Sequence, residues 1–158
     1  MKKIIFLNKL RREGKLQIVE SSEEIKESYF EKSESNLASS KILLENDKLE
    51  EAIALTYYSM YNMLIALLFK IGIKCENHTA SIILLKDLFN IDNSSLEYAK
   101  KERIDKQYYT DFEIAKEGVI KAIEDAEDFN NNLFNFISKI THEDVERYKK
   151  KFEEFLED

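Results

Sequence analysis

The sequence predicts an all-α fold, an antiparallel up-and-down helical bundle of four to five main helices with short extra helices at both ends. The 158 residues include no proline and only three glycines, Gly14, Gly72 and Gly118, so little interrupts a helix and little turn chemistry exists for a sandwich or barrel. Charged residues make up 35% of the chain and alternate in sign, as on solvated helix faces. The length fits one domain, residues 1–158, that can bury a core without disulfides or metal.

Composition also limits the classes of function. The net charge of −7 argues against a general nucleic-acid coat, although it leaves room for a local basic site. The single cysteine, Cys75, gives no internal disulfide and no thiolate metal cluster, which fits a reducing cytoplasm. An apolar run at the N-terminus stops at Asn8 and is followed by Lys9, so it is too short for the core of a signal peptide. We expect a soluble cytoplasmic protein.

Capping signals delimit the helices of the N-terminal half. A first helix over about residues 2–12 ends before Gly14, and Ser21-Ser22-Glu23-Glu24 is a capping box that opens a second helix to about Glu45. The apolar stripe predicted for this second helix is Ile25, Tyr29, Phe30, Leu37, Ile42 and Leu43 or Leu44. A third helix runs from about Leu49 to Ile71, and Gly72 provides its C-terminal stop.

The C-terminal half divides in the same way. A fourth helix covers about residues 77–89, and Ser94-Ser95-Leu96-Glu97 opens a short helix that carries the segment around Arg103. Thr110 and Glu113 form a capping box for a long helix from Asp111 to about Ser138. Thr141 caps a last helix, residues 142–156. We expect a core of about residues 22–138 with an extra C-terminal helix over about 142–157.

The third helix differs from the others because residues 52–69 carry no charge, a length that raises the question of a membrane span. Its block of hydroxyl and amide side chains, and the amphipathic helices around it that need a partner, favour the buried centre of a bundle and no membrane. Buried polar groups need partners, so the block implies an internal network, a dimer interface or a pocket. Tyr57 and Tyr61 are expected to fill the core, whereas Tyr58 and Asn62, one turn apart, fit a core role and a site equally.

The stretch from Lys100 to Tyr109 concentrates charge and tyrosine around Arg103, directly before the predicted cap at Thr110. This places a cationic, aromatic segment at a helix N-terminus, where backbone donors and the helix dipole favour anions such as phosphate. The alternative is a solvated segment between helices whose tyrosines close the end of the bundle.

Other chemistries have little support in the residue pattern. There is no glycine-rich phosphate loop, and neither His78 nor His142 follows a glutamate by three residues, so no metal site and no cofactor are expected. His142 follows a cap among acidic residues and is expected to be exposed. His78 lies beside the end of the buried helix and is the better candidate for acid–base work. A capping or turn role for His78 is the alternative.

A family resemblance rests on three motifs. They are the helix Ala54-Leu55-Thr56-Tyr57-Tyr58-Ser59-Met60-Tyr61-Asn62 with Ala66-Leu67-Leu68, Gly72-Ile73 and His78, then Arg103 through Tyr109, then Ala122, Ala126 and Phe129 of the long helix. Over roughly residues 25–137 the chain resembles the HEPN domain family (higher eukaryotes and prokaryotes nucleotide-binding). The resemblance implies an antiparallel helical bundle that is often a homodimer and is often encoded beside a small nucleotidyltransferase as a toxin–antitoxin pair. It also implies RNA cleavage at a composite dimer site whose signature is an arginine followed, after four to six residues, by a histidine. In some members the partner silences this activity by adding AMP to a tyrosine just after that histidine.

The chain departs from this signature at its second member. Arg103 matches the arginine. After four intervening residues the chain has Tyr108 in place of a histidine, and no histidine follows before His142. Tyrosine, with a pKa of about 10, is a poor base near neutral pH. The catalytic candidates are therefore Arg103, Tyr108 and His78. The nucleotide- or RNA-binding candidates are Arg103, Lys106, Tyr58, Asn62 and Tyr109.

Three functions follow from these observations. The first is a HEPN-type dimer that binds nucleotide or RNA and pairs with a nucleotidyltransferase, and the second is a metal-free ribonuclease with Arg103 on the phosphate. The third is a non-catalytic interaction protein that uses the tyrosine-rich helix. In the first two, Tyr58, Asn62 and Arg103 are expected to converge on one pocket with His78 nearby.

Overall fold

The computed structural model describes residues 1–108 and 113–157, with the side chain of Tyr108 outside that description. The elements in chain order are α1 Lys2–Arg12, β1 Leu16–Ile18, α2 Glu23–Glu45, α3 Leu49–Ile71, β2 Ile73–Cys75, α4 His78–Asp87, α5 Ser94–Tyr108, α6 Lys116–Ser138 and α7 His142–Glu157. The all-α prediction is confirmed. The sequence did not indicate the small antiparallel β1–β2 pair, because strands of three residues carry no readable alternation.

Helix α3 is the centre of the bundle, and α2, α5 and α6 pack around it. It is long and apolar enough to cross a membrane, with a mean hydropathy of 1.5 over its most apolar window, but 72% of that window is buried inside the protein. Leu64, Leu67 and Leu68 are fully buried. The helix therefore has the surroundings of a core helix, as its uncharged sequence predicts.

Two hydroxyls of α3, those of Thr56 and Ser59, have their partners on α2. Ser33 Oγ donates to the carbonyl oxygen of Ser59 at 2.7 Å, and Ser59 Oγ donates back to the carbonyl of Ser33 at 2.7 Å. About two turns further along α2, Ser40 Oγ donates to the carbonyl of Ala52 at 2.9 Å and lies 2.7 Å from Thr56 Oγ1. These small side chains bring the two helices close together and leave no hydroxyl among them without a partner.

The apolar stripe predicted for α2 is wrong at Ile25 and Ile42, whereas Leu43 and Leu44 pack against the core as predicted. Ile25 and Ile42 are 39% and 59% exposed, whereas the inner face carries Phe30, Ser33 and Ser40. The sequence pattern does not mark these serines as core residues, because serine hydroxyls ordinarily favour solvent. Here each hydroxyl has a backbone partner on α3, so burying a serine costs little.

The start of the long helix also differs from the prediction. Thr110 and Asp111 lie outside the described residues, but residues 113–115 are not helical, and α6 begins at Lys116 without a side-chain cap. Arg103 lies well inside α5, which runs to Tyr108 because no glycine or proline interrupts residues 94–108. The expected helix N-terminus beside Arg103 is therefore wrong, and the helix dipole does not assist it there.

The other predicted helix ends are confirmed. Ser22 caps α2 by accepting from the backbone N–H of Ile25 at 3.1 Å, and Gly72 ends α3 in the left-handed region, with φ of 97°. Thr141 and Asp144 exchange hydrogen bonds at the start of α7. Gly72 leads directly into β2, and this connection delivers His78 to the side of α3.

Candidate functional site

His78 is the first residue of α4, and its ring lies against α3. The helix cap is Asn77, whose Oδ1 accepts from the backbone N–H of Ala80 at 2.9 Å. The side chain of His78 therefore does not cap the helix. Its Nδ1 lies 2.8 Å from the hydroxyl of Tyr57, and its ring stacks on Tyr61 with 3.8 Å between centroids. The histidine therefore belongs to a packed aromatic group and not to a solvated turn.

Arg103 reaches the same group from α5. Its Nη1 donates to the hydroxyl of Tyr58 at 3.3 Å and to Gln107 Oε1 at 3.2 Å. Its guanidinium carbon lies 5.2 Å and 5.4 Å from the ring centroids of Tyr57 and Tyr58, within cation–π range. Its Nε is buried and has no partner among the described residues. Unpaired buried donors are uncommon in folded proteins, and functional sites are among the places where they are tolerated.

Tyr57, Tyr58, Tyr61, His78 and Arg103 together form what we call the tyrosine–arginine cluster. It joins three helices, because the tyrosines lie on α3, the histidine on α4 and the arginine on α5. The sequence pointed to Tyr58, His78 and Arg103 but assigned Tyr57 and Tyr61 to the core. Both of these are indeed buried, at 0% and 8% exposure, yet each also contacts the ring of His78.

An open cavity of about 390 Å³ adjoins this cluster. This is within the usual size range of sites for small ligands. Four aromatic rings form much of its lining: Tyr29, Tyr58, Tyr61 and Phe69. Other lining residues are polar or charged: Lys32, Asn62, Lys74, Cys75, Glu76 and His78. The cavity thus offers stacking surfaces beside hydrogen-bonding groups and two lysines.

Among the described residues that line the cavity, Asn62 alone has a side-chain amide, which can both donate and accept. It lies one turn after Tyr58 on α3, and within residues 1–108 and 113–157 its side chain has no hydrogen-bond partner. An amide with free hydrogen-bonding capacity inside an aromatic cavity is suited to the edge of a planar polar ligand. Tyr58 and Asn62 both line the cavity, and neither is among the buried residues of the core.

Burial sets the protonation states in the cluster. It is the main cause that lowers the pKa of His78 from its ordinary 6.5, and the positive charges of Arg103 and Lys100 lower it further. Burial likewise raises the pKa of Tyr57, and it raises that of Tyr61 to about 12. At neutral pH the imidazole is therefore neutral and able to accept a proton, while both of these phenols remain protonated.

Arg103 contacts Tyr58 but is not among the described residues that line the cavity, and neither is Lys106. Lys106 Nζ donates to the backbone carbonyl of Glu113 at 2.7 Å and lies 3.8 Å from a carboxylate oxygen of Glu102, so it links α5 to the segment before α6. The side chain of Tyr108, and Tyr109 as a whole, lie outside the described residues. His142 is exposed on α7. In the part of the chain that the structure describes, no group of three or more His, Cys, Asp or Glu side chains is placed to hold a metal ion.

Comparison with known protein families gives a match. A family model described as HEPN domain matches residues 26–158, a range that includes α7. No curated protein matches the chain.

Proposed function

Since the chain belongs to the HEPN domain family, we propose that it is a HEPN-type protein that binds RNA or a nucleotide in the cavity beside the tyrosine–arginine cluster. The observation that carries the proposal is the contact of Arg103 with Tyr58, whose ring also lines that cavity. Tyr58 of the cavity wall is thereby hydrogen-bonded to the permanent positive charge of Arg103. Aromatic walls and a fixed cation are the two elements that binding of unpaired nucleotides requires.

The cavity residues divide naturally among the parts of a nucleotide. Tyrosine and phenylalanine rings provide stacking surfaces for a base, an interaction of roughly 1–3 kcal/mol per base. The Asn62 amide can bond the base edge, because it presents both a donor and an acceptor. The phosphate is left to cations, namely Arg103, whose planar fork suits phosphate oxygens, and Lys32 or Lys74 at the cavity. The binding is local, so the overall charge of −7 does not prevent it.

Binding is testable through the two histidines of the chain, His78 and His142. On addition of a short single-stranded RNA or of AMP, the ring signals of His78 are expected to move in the NMR spectrum, because the imidazole lines the cavity. His142 is exposed on α7 and provides an internal control. Equal movement of both signals would indicate non-specific binding, and no movement at millimolar AMP and RNA would exclude this site.

We also propose that the protein acts in the cytoplasm as a homodimer and pairs with a nucleotidyltransferase. Support for these partners comes from membership of a family in which such dimers and pairs are frequent. Tyr108 and Tyr109, which follow Arg103 in the sequence, stand nearest to the place of the family's AMP acceptor, but neither holds its spacing. The test compares RNA binding by the pure protein with and without the nucleotidyltransferase. Loss of binding when the nucleotidyltransferase is added would indicate a pair in which the partner silences this protein, and unchanged binding would indicate an independent RNA-binding protein.

Metal-free RNA cleavage is the second candidate function, and the position of His78 favours it. The family's usual histidine after the arginine is absent, but His78 reaches the same cluster from α4 and is neutral at pH 7. In such a reaction His78 would take the proton of the 2′-hydroxyl as that oxygen attacks phosphorus. Arg103 would stabilise the charge of the phosphorane. The 5′-oxygen would then leave and take a proton from water, giving a 2′,3′-cyclic phosphate and a 5′-hydroxyl end.

Cleavage of labelled RNA is then expected to disappear in His78→Ala and to persist in His142→Ala. The rate should rise with pH through the pKa of His78 and level off above it, because only the neutral imidazole accepts a proton. Since burial and neighbouring cations lower that pKa below 6.5, the plateau should already be reached at pH 7. Activity that survives His78→Ala, or that requires a higher pH, would assign the base to another group.

A further inference from the structure

A second and larger cavity lies against α5, where Tyr98, Ala99 and Glu102 line it and Arg103 does not. It is an open groove of about 720 Å³ between α5 and α6, with α3 as its floor. Apolar side chains line its depth: Ile53, Met60, Phe129, Leu133 and Phe136. Four carboxylates stand along it: Asp92, Glu102, Asp125 and Asp128. We call this the acidic groove.

The charge of the acidic groove is not balanced from within. No lysine, arginine or histidine is among the described residues that line it. Asp125 bonds Lys121, a side chain that is 71% exposed, and Glu102 lies 3.8 Å from Lys106. Asp92 and Asp128 have no ion-pair partner in the described part of the chain, and Asp128 is exposed. An occupant therefore gains by carrying positive charge along its edges.

The dimensions of the groove suit a helix. Its α6 wall runs from Ala122 to Phe136, which at 1.5 Å per residue is about 21 Å, or nearly four helical turns. Two flanking helices with a third beneath them are the surroundings that an added helix finds in a bundle. Apolar residues lie in the depth and carboxylates at the rim, a pattern complementary to an apolar stripe flanked by lysine or arginine.

From this complementarity we infer that the acidic groove is a docking site for a cationic amphipathic helix of a partner protein. RNA is disfavoured there, because phosphates would face four carboxylates. A second copy of the chain also fits poorly. Its basic helix α1 buries Leu7 and Leu10 in its own core, and its exposed face therefore lacks a full apolar stripe. The groove is separate from the nucleotide cavity, so the inference does not depend on RNA binding.

The test uses the full chain and three synthetic peptides of about 14 residues, the length that spans the groove. The first has leucine at helical i, i+3, i+4, i+7 spacing and lysine elsewhere. The second replaces each lysine by glutamate, and the third has the composition of the first in shuffled order. Fluorescence anisotropy should show saturable binding of the first peptide alone, weakening as salt rises.

Two charge-matched double variants locate the binding. Asp125→Asn with Asp128→Asn should weaken binding of the first peptide by about fivefold or more, because two rim charges are lost. Glu146→Gln with Glu153→Gln removes the same charge from exposed positions of α7 and should change binding less than twofold.

Several results would overturn the inference. Equal losses in the two double variants, or binding of the shuffled peptide, would mean general attraction to an acidic protein. Binding of spermine at the groove without binding of the first peptide would assign it to a small cation. A shift in the monomer–dimer equilibrium caused by the Asp125 and Asp128 pair alone, measured by light scattering, would make a second copy the occupant.

Discussion

Gly72→Ala is expected to lower the free energy of unfolding by about 3 kcal/mol. Gly72 ends α3 with φ of 97°, a conformation in which a residue with a Cβ is strained. An added Cβ would also lie 2.4 Å from the carbonyl oxygen of Val19 and 2.7 Å from Lys149 Cε. The side chain of Lys149 can move. The carbonyl of Val19 is backbone and cannot, because the N–H of Val19 donates to the carbonyl of Gly72 at 2.8 Å. The connection into β2 must therefore shift.

Gly118→Ala is the matched control for this substitution. Gly118 lies within α6, and no atom of the described residues stands within 4 Å of a Cβ built on it. Alanine there should raise the free energy of unfolding by about 0.5–1 kcal/mol, because it has the higher helix propensity. Urea unfolding followed by circular dichroism measures both variants. Equal stability of Gly72→Ala and the wild type would mean that the turn after α3 relaxes freely and does not fix the position of His78.

Features that depend on a few neighbouring residues were predictable from the sequence. The cap at Ser22, the stop at Gly72 and the uncharged run of α3 each act within one helix, so the bounds of α2 and α3 follow from local chemistry. The inner face of α2 does not, because Ser33 and Ser40 become core residues only through carbonyls of α3. The same limit applies to β1 and β2, whose pairing depends on residues far apart in the chain.

The candidate site was predictable only in its separate members. Tyr58 and Asn62 share a helix face by their spacing, and Arg103 was selected by its charged surroundings and by the family resemblance. The cavity exists only after α2, α3 and β2 pack together, because Tyr29 of α2 and Lys74 of β2 both line it. The second contact of Tyr57, through its hydroxyl to His78, was hidden because a buried tyrosine ring already had a sufficient role in the core.

Arg103→Ala is expected to weaken RNA or nucleotide binding by about tenfold or more, the loss of one charge-assisted contact of roughly 1.5–3 kcal/mol. The substitution also removes the cation packed on Tyr57 and Tyr58. Because the charge of Arg103 helps to lower the pKa of His78, that pKa should rise in the variant. It should remain below 6.5, since burial is the larger cause. Binding is measured by anisotropy with labelled RNA, and the pKa by NMR titration.

Two further substitutions in α5 show whether the loss of affinity in Arg103→Ala comes from a direct contact with the ligand. Lys101→Ala removes the same charge from an exposed position two residues away and should change binding less than twofold. Arg103→Lys keeps the charge but loses the planar fork, so its affinity should fall between those of Arg103→Ala and the wild type. Equal weakening by Lys101→Ala and Arg103→Ala would reduce the effect to general electrostatics. If Arg103→Ala binds RNA and nucleotide as tightly as the wild type while the pKa of His78 rises, Arg103 sits beside the histidine without contacting ligand. The protein would then be better described as an interaction module that docks partners through its helices.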